Sequence, residues 1–214
     1  MRRRNAAEAR FKLYGIAAIT VSLLMLAIML FTIFRDGVSA FTQAQLTFPI
    51  TLSEEVLDPQ GNRNRDEMNK VTTVGYAKIL NDGLLAELSR LGITQEGITD
   101  KEITDMISKS APGQLRARVL ADPSMVGTTI TSTVLAGGRI DGFLKGRVTL
   151  ETAERDGNVT PNQLRLAEKL SAAGVLDTDW NWGFLWRSDA SDQRPEASGL
   201  GVALIGSAYM MLLV

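Results

Sequence analysis

The chain contains no histidine and no cysteine in its 214 residues. Those two absences exclude a Ser-His-Asp triad, a thiol nucleophile, a disulfide framework, a Cys/His zinc site and a Cys-ligated iron–sulfur cluster. An excess of positive charge is missing as well. With 23 basic and 24 acidic side chains, the net charge of −1 and the pI near 5.6 argue against the broad basic surface that nucleic acid requires. No catalytic residue, metal ligand, cofactor site or nucleic-acid partner is therefore expected. What is present is unevenly distributed, because the apolar residues gather towards the two ends.

Residues 13–34, LYGIAAITVSLLMLAIMLFTIF, form a run of 22 residues without a charge. At about 1.5 Å per residue such a helix spans the roughly 30 Å of a bilayer core. A cleaved signal peptide would have a shorter apolar region ending in small residues, whereas Met29, Leu30, Phe31, Ile33 and Phe34 keep this one bulky to its end. The run is read as an uncleaved transmembrane helix. Its leading flank, residues 1–12, carries Arg2, Arg3, Arg4, Arg10 and Lys12 against Glu8 alone, while Arg35 and Asp36 cancel on the other side. The excess of basic residues places the N-terminus in the cytoplasm and the chain beyond Phe34 across the membrane. The lack of cysteine is compatible with a bacterial periplasm there.

From Ala197 a second uncharged run of 18 residues, ASGLGVALIGSAYMMLLV, grows more apolar and stops without a polar flank. A spanning helix cut short would leave backbone carbonyls unsatisfied in hydrocarbon. Residues 199–214 are therefore expected to be the start of a second membrane helix, and the chain the front part of a longer polytopic protein. The other reading of this run is a short amphipathic or core helix. Gly199, Ala203 and Ser207 fall at i, i+4 and i+8, a stripe of small residues that would let helices pack closely.

Between the two runs, residues 37–198 are long enough to fold as a domain. With 17 basic and 22 acidic side chains this segment is acidic, and an acidic domain is a poor first receptor for an anion. Alternation over residues 45–52 predicts a strand, which Pro49 would confine to an edge or to an extended arm. Residues 58–67 read as a solvated loop without chemistry. Helices are predicted over residues 74–91 with Gly92 as C-cap, from a Thr99/Glu102 capping box to about Lys109, over 111–120, from Asp122-Pro123 towards Ala136, and from Thr160-Pro161 towards Gly174. The fold class expected is mainly α with minor β.

Two tempting motifs fail their tests. In residues 136–147, AGGRIDGFLKGR, Gly142 is followed by Phe143 where a phosphate loop needs Lys, so a turn with a short hairpin or helix is expected. Asp177, Asp179 and Asn181 open like a calcium loop, but Trp182 stands where that loop requires glycine. All three tryptophans, Trp180, Trp182 and Trp186, lie in the seven residues WNWGFLW. They suit a membrane-interface belt in contact with lipid, or a packed aromatic corner of the domain.

The opening RRRNAAEARFKLYGIAAI, the insertion beginning VTTVGYAKIL, the aromatic NWGFLW and the run GLGVALIGSAYMMLLV together resemble phosphate ABC transporter permeases of the PstA type, in the subgroup with a long insertion after the first membrane helix. The resemblance implies a non-enzymatic permease subunit of the bacterial inner membrane. It also implies a second permease, PstC, an ATPase, PstB, that hydrolyses ATP, and a periplasmic phosphate-binding protein, PstS. It transfers no pathway or coupling residue to this chain. The insertion is expected to dock partners. A rival reading is a membrane-anchored periplasmic sensor or adaptor. A carboxylate-based hydrolase is disfavoured because no pair of acidic residues has a distinctive spacing.

Overall fold

The computed structural model describes residues 2–188 and 195–213; the side chains of residues 2–9, 36 and 195, those of Arg2, Arg3 and Arg4 among them, lie outside the description. The chain is mainly α, with one small sheet, and divides into two compact units, Met1–Phe41 and Thr42–Val214.

The first unit is helix α1 (Arg2–Val38) followed by a 3-10 turn, Ser39–Phe41. Within it, Arg10–Phe41 is long and apolar enough to cross a membrane, and none of it is buried against protein. Its hydroxyl groups are dealt with locally. Thr20, Ser22 and Thr32 each donate to the carbonyl four residues back, Ile16, Ala18 and Ile28, at 2.9, 3.0 and 2.9 Å. A polar side chain that bonds its own helix asks nothing of its surroundings, which suits an apolar solvent.

The second unit is built on a three-stranded antiparallel sheet. Strand β1 (Thr42–Thr51) turns Leu46, Phe48 and Ile50 inward and leaves Thr47, Pro49 and Thr51 exposed, so its period of two is that of a sheet with one wet face. Two short helices, α2 (Glu54–Leu57) and α3 (Arg65–Met68), lead into α4 (Thr73–Leu91), which lays Tyr76, Leu80, Leu84 and Leu88 on the buried face of β1. Gly83 permits that contact: a Cβ there would lie 2.7 Å from Ile50 Cγ2 and 3.1 Å from the Pro49 carbonyl. The helix ends where expected, with Gly92 at φ 64° and Ile93 N–H donating to the Leu88 carbonyl at 3.0 Å.

Beyond α4, the Thr99/Glu102 capping box opens α5 (Asp100–Thr104), which stops well short of Lys109. Residues 107 and 108 instead join the sheet, with Ile107 bridging Ala136 and Ser108 N–H donating to the Leu135 carbonyl. Helix α6 (Ala111–Ala121) packs against α4. The helix expected from Asp122 towards Ala136 is corrected to a strand. Asp122 does accept from Ser124 N–H, but the turn it caps is only Pro123–Met125, Gly127 follows at φ 88°, and the β-branched run beyond becomes β2 (Thr129–Leu135).

After β2 come α7 (Gly138–Leu144), α8 (Leu150–Ala153) and α9 (Pro161–Ala172). The glycine-rich stretch is thus a short helix. The Gln163 amide serves two elements, accepting from Thr160 N–H to cap α9 and donating to the Glu102 carbonyl of α5 at 2.6 Å. Helix α9 closes on Gly174, with Val175 N–H donating to the Leu170 carbonyl, and β3 (Leu176–Trp180) comes next. The strand order β2-β1-β3 puts the proline-bearing strand in the middle, not at an edge. The contradiction is local: β3 pairs only with residues 42–46 of β1, and Thr47 N–H makes the last bond on that side, to the Val175 carbonyl. Pro49, pointing the same way as Thr47, lacks an N–H where no partner strand runs. The unit ends in α10 (Gly201–Leu213), whose apolar side chains from Val202 onward are exposed.

Candidate functional site

The arrangement that most distinguishes the second unit lies where the sheet meets the approach to α10. At the end of β3 the chain folds into a 3-10 turn, Trp182–Leu185, and Arg187 N–H donates to the Gly183 carbonyl at 2.9 Å. That turn is bolted to the start of α10. Leu200 N–H donates to the Phe184 carbonyl at 2.7 Å and Gly201 N–H to the Arg187 carbonyl at 2.9 Å. Two donors at a helix N-terminus, which that helix cannot satisfy itself, are thereby paired.

The approach is close enough to require glycine. A Cβ on Gly199 would sit 2.5 Å from the Arg187 carbonyl oxygen, and one on Gly201 would sit 2.6 Å from that of Trp186. Gly199 precedes α10, so it does not share a helix face with Ala203 and Ser207, which lie within it. The proposed i, i+4, i+8 stripe is corrected on this point. The smallness of Gly199 serves a backbone crossing with Arg187.

Beneath the crossing lies a buried polar network that sequence reasoning did not find. Gln43, at the start of β1, donates through Nε2 to the Glu196 carbonyl at 2.6 Å and accepts at Oε1 from Arg187 Nη1 at 3.4 Å. The Glu196 carboxylate accepts from Ser108 Oγ, and Ser108 also meets Ser110 Oγ at 2.8 Å. Gln43, Ser108 and Glu196 are all buried. Buried polar groups need partners, and these find one another across the chain. The single sequence hint was that Glu196 is the last charge before a long apolar run.

The sequence-predicted residues fall into separate places. Arg10 and Lys12 lie on exposed turns of α1, in the first unit. Trp182 and Trp186 are 73% and 83% exposed, and Trp180, 43% exposed, meets Trp182 with ring centroids 5.6 Å apart. A packed aromatic corner does not describe such exposed rings. Asp177 and Asp179 lie exposed on β3, and no group of acidic side chains able to hold a metal ion occurs among the described residues.

The loop read as solvated is largely exposed, as expected, and is also organised around Asp58 and Arg63. Arg63, in the left-handed region at φ 54°, donates to Asp58 Oδ2 at 2.8 Å from Nη1, to Glu54 Oε1 at 2.9 Å, and to the Val126 carbonyl at 3.1 Å from Nη2. Asp58 is almost wholly buried, and the Arg63 hydrogen bond holds its carboxyl below the usual aspartate range against the opposing effect of burial. Arg90 does the same for Glu87, gripping both carboxylate oxygens at 2.6 and 2.7 Å. Lys145 pairs with Asp141 at 2.7 Å, and the other oxygen of Asp141 accepts Ala44 N–H at the start of β1. These cations are committed to structure, so the pairs are not receptors for an anion. A cleft of about 420 Å³ beside the end of α4 has mixed walls, with Leu88, Ile93 and Leu166 facing Thr94, Gln95 and Asp100, and no cation lines it.

No curated protein and no solved structure matches the chain. Residues 1–154, which reach from the N-terminal helix to the C-cap of α8, match the family described as Domain of unknown function (DUF3333), and the chain belongs to that family.

Proposed function

We propose that this chain is a permease subunit of a bacterial importer for inorganic phosphate, of the ABC class, set in the inner membrane with its N-terminus in the cytoplasm. It moves the anion together with a second permease of the PstC type. ATP is hydrolysed by a PstB-type ATPase, and a PstS-type binding protein supplies the solute. The subunit performs no bond chemistry itself and works by moving helices. The acidic domain docks protein partners and does not capture phosphate.

The observation that carries the membrane part of this reading is the pattern of exposure. Each unit has a helix, α1 or α10, that leaves the apolar side chains of a long uncharged stretch uncovered, while the domain between them in the chain packs an ordinary core. Phosphate as the solute rests on the sequence resemblance. The reading of the domain is supported by its acidic balance and by the commitment of Arg63, Arg90 and Lys145 to internal carboxylates. The test is phosphate uptake from micromolar medium by cells lacking the gene, with and without a copy in trans, and co-purification of the tagged protein from membranes. Lost and restored uptake, with an ATPase and a second permease in the eluate, is the expected result. Unchanged uptake with neither partner present would reject transport in favour of a sensor or adaptor.

A further inference from the structure

We propose that the turn Trp182–Leu185, with Trp180 and Trp186 on either side, is a collar that seats in the phospholipid headgroup region and fixes the height of the domain above the bilayer. The inference rests on α10 lying in a membrane, as the proposed function requires, and is independent of what is transported.

Three observations lead to it. First, Trp182 and Trp186 are the most exposed large apolar side chains of the domain apart from Val74 and the end of α10. An indole presents a broad apolar body with one N–H donor, and the headgroup boundary is the environment that satisfies both. Second, the collar is continuous with α10. The bonds from Leu200 to Phe184 and from Gly201 to Arg187, with the glycine crossings at Gly199 and Gly201, leave no slack between the aromatic turn and the first residue of the helix. The depth of α10 therefore sets the depth of the indoles.

Third, the charges of the described residues nearest the turn fit a lipid surface, while Asp189, Asp192 and Arg194 lie outside the described residues. Residues 180–186 carry no charge, and Glu196, the nearest acidic group before α10, is turned inward to Ser108. Arg187, exposed overall although its guanidinium also donates to Gln43, has the sign that phosphate headgroups attract. Asp177 and Asp179 alternate with Thr178 and Trp180 along β3, so the strand pleat directs them to the opposite face from the indole. The network of Gln43, Ser108 and Glu196 ties the collar to the sheet, making the domain and its seat one body.

The chain supplies its own probe, since its three tryptophans are all in the collar. The protein is reconstituted in vesicles of phosphatidylcholine and phosphatidylglycerol whose acyl chains are brominated either near the glycerol or near the terminal methyl. We expect tryptophan emission to be roughly halved by the shallow bromines, quenched clearly less by the deep ones, and poorly quenched by aqueous iodide. Emission untouched by either lipid and open to iodide overturns the collar. Emission shielded from both also overturns it, because a protein partner would then cover the indoles.

A second measurement separates this failure from failure of the membrane reading. The absence of native cysteine allows Ile205→Cys, in the middle of α10, to be probed alone with an impermeant maleimide. Blocked labelling with iodide-accessible tryptophans rejects the collar and leaves α10 in the bilayer. Ready labelling rejects both.

Discussion

Asp58 and Arg63 set two effects against each other. Asp58 is buried, which by itself would favour its neutral form, yet the guanidinium of Arg63 at 2.8 Å outweighs that and lowers its pKa below the ordinary 3.8. A carboxyl whose folded pKa is depressed contributes stability that is fully present above the unfolded value and disappears as the pH falls through the folded one. Unfolding by urea should therefore become easier as the pH is lowered below about 4, and Asp58→Asn should flatten that acid limb while weakening the protein at neutral pH. An acid limb of unchanged slope in the variant would show that the pair contributes nothing there. Arg63 also bears a backbone cost, since φ 54° disfavours any side chain with a Cβ. Both Arg63→Ala and Arg63→Gly lose the guanidinium, but only glycine relieves the strain. The glycine variant should be the more stable of the two by about 1 kcal/mol, measured as a difference in unfolding free energy.

Elements differ in how far the sequence declares them. Helix α4 could be read from its three-to-four spacing and terminal glycine, and α9 from Thr160, Pro161 and Gln163, because capping and helical periodicity are local. The identity of β2 was hidden by the Asp122-Pro123 start signal, which is real but yields only one 3-10 turn before β1 captures the next residues. The order of the loop at residues 58–67 depends on a carbonyl 63 positions from Arg63, and the network under α10 joins Gln43 to a residue 153 positions away. Contacts at such separations leave no pattern in a single sequence. Gly83 illustrates the same limit, for it looks like a defect in the middle of α4 until β1 is seen against it. Gly83→Ala would improve helix propensity yet place a methyl 2.7 Å from Ile50 Cγ2 and 3.1 Å from backbone. The overpacking should win, with a net loss of roughly 1–3 kcal/mol in a denaturation experiment. A gain in stability would mean that α4 can lift from the sheet at little cost.

At the scale of the whole molecule the decisive asymmetry is electrostatic. Five cationic side chains, Arg2, Arg3, Arg4, Arg10 and Lys12, precede the apolar part of α1, while the domain after it carries an acidic balance of 17 basic to 22 acidic groups. The proposed topology keeps the basic flank in the cytoplasm, since moving those charges across the bilayer against the membrane potential is the costlier choice. The opposite orientation would have to translocate the basic flank and retain the domain. The cysteine-free background makes the choice directly visible. Gln60, exposed in the ordered loop of the domain, and Ala6, in the basic flank, can each be replaced by cysteine without a competing thiol. With the outer membrane permeabilised, Gln60→Cys should react with an impermeant maleimide in intact cells, and Ala6→Cys only after the inner membrane is opened. Replacing Arg2, Arg3, Arg4, Arg10 and Lys12 together with glutamine should mix the two orientations, so that Gln60→Cys in that background is only partly labelled. Labelling of Ala6→Cys in intact cells would reverse the topology, placing the acidic domain in the cytoplasm, where it could not meet a periplasmic binding protein.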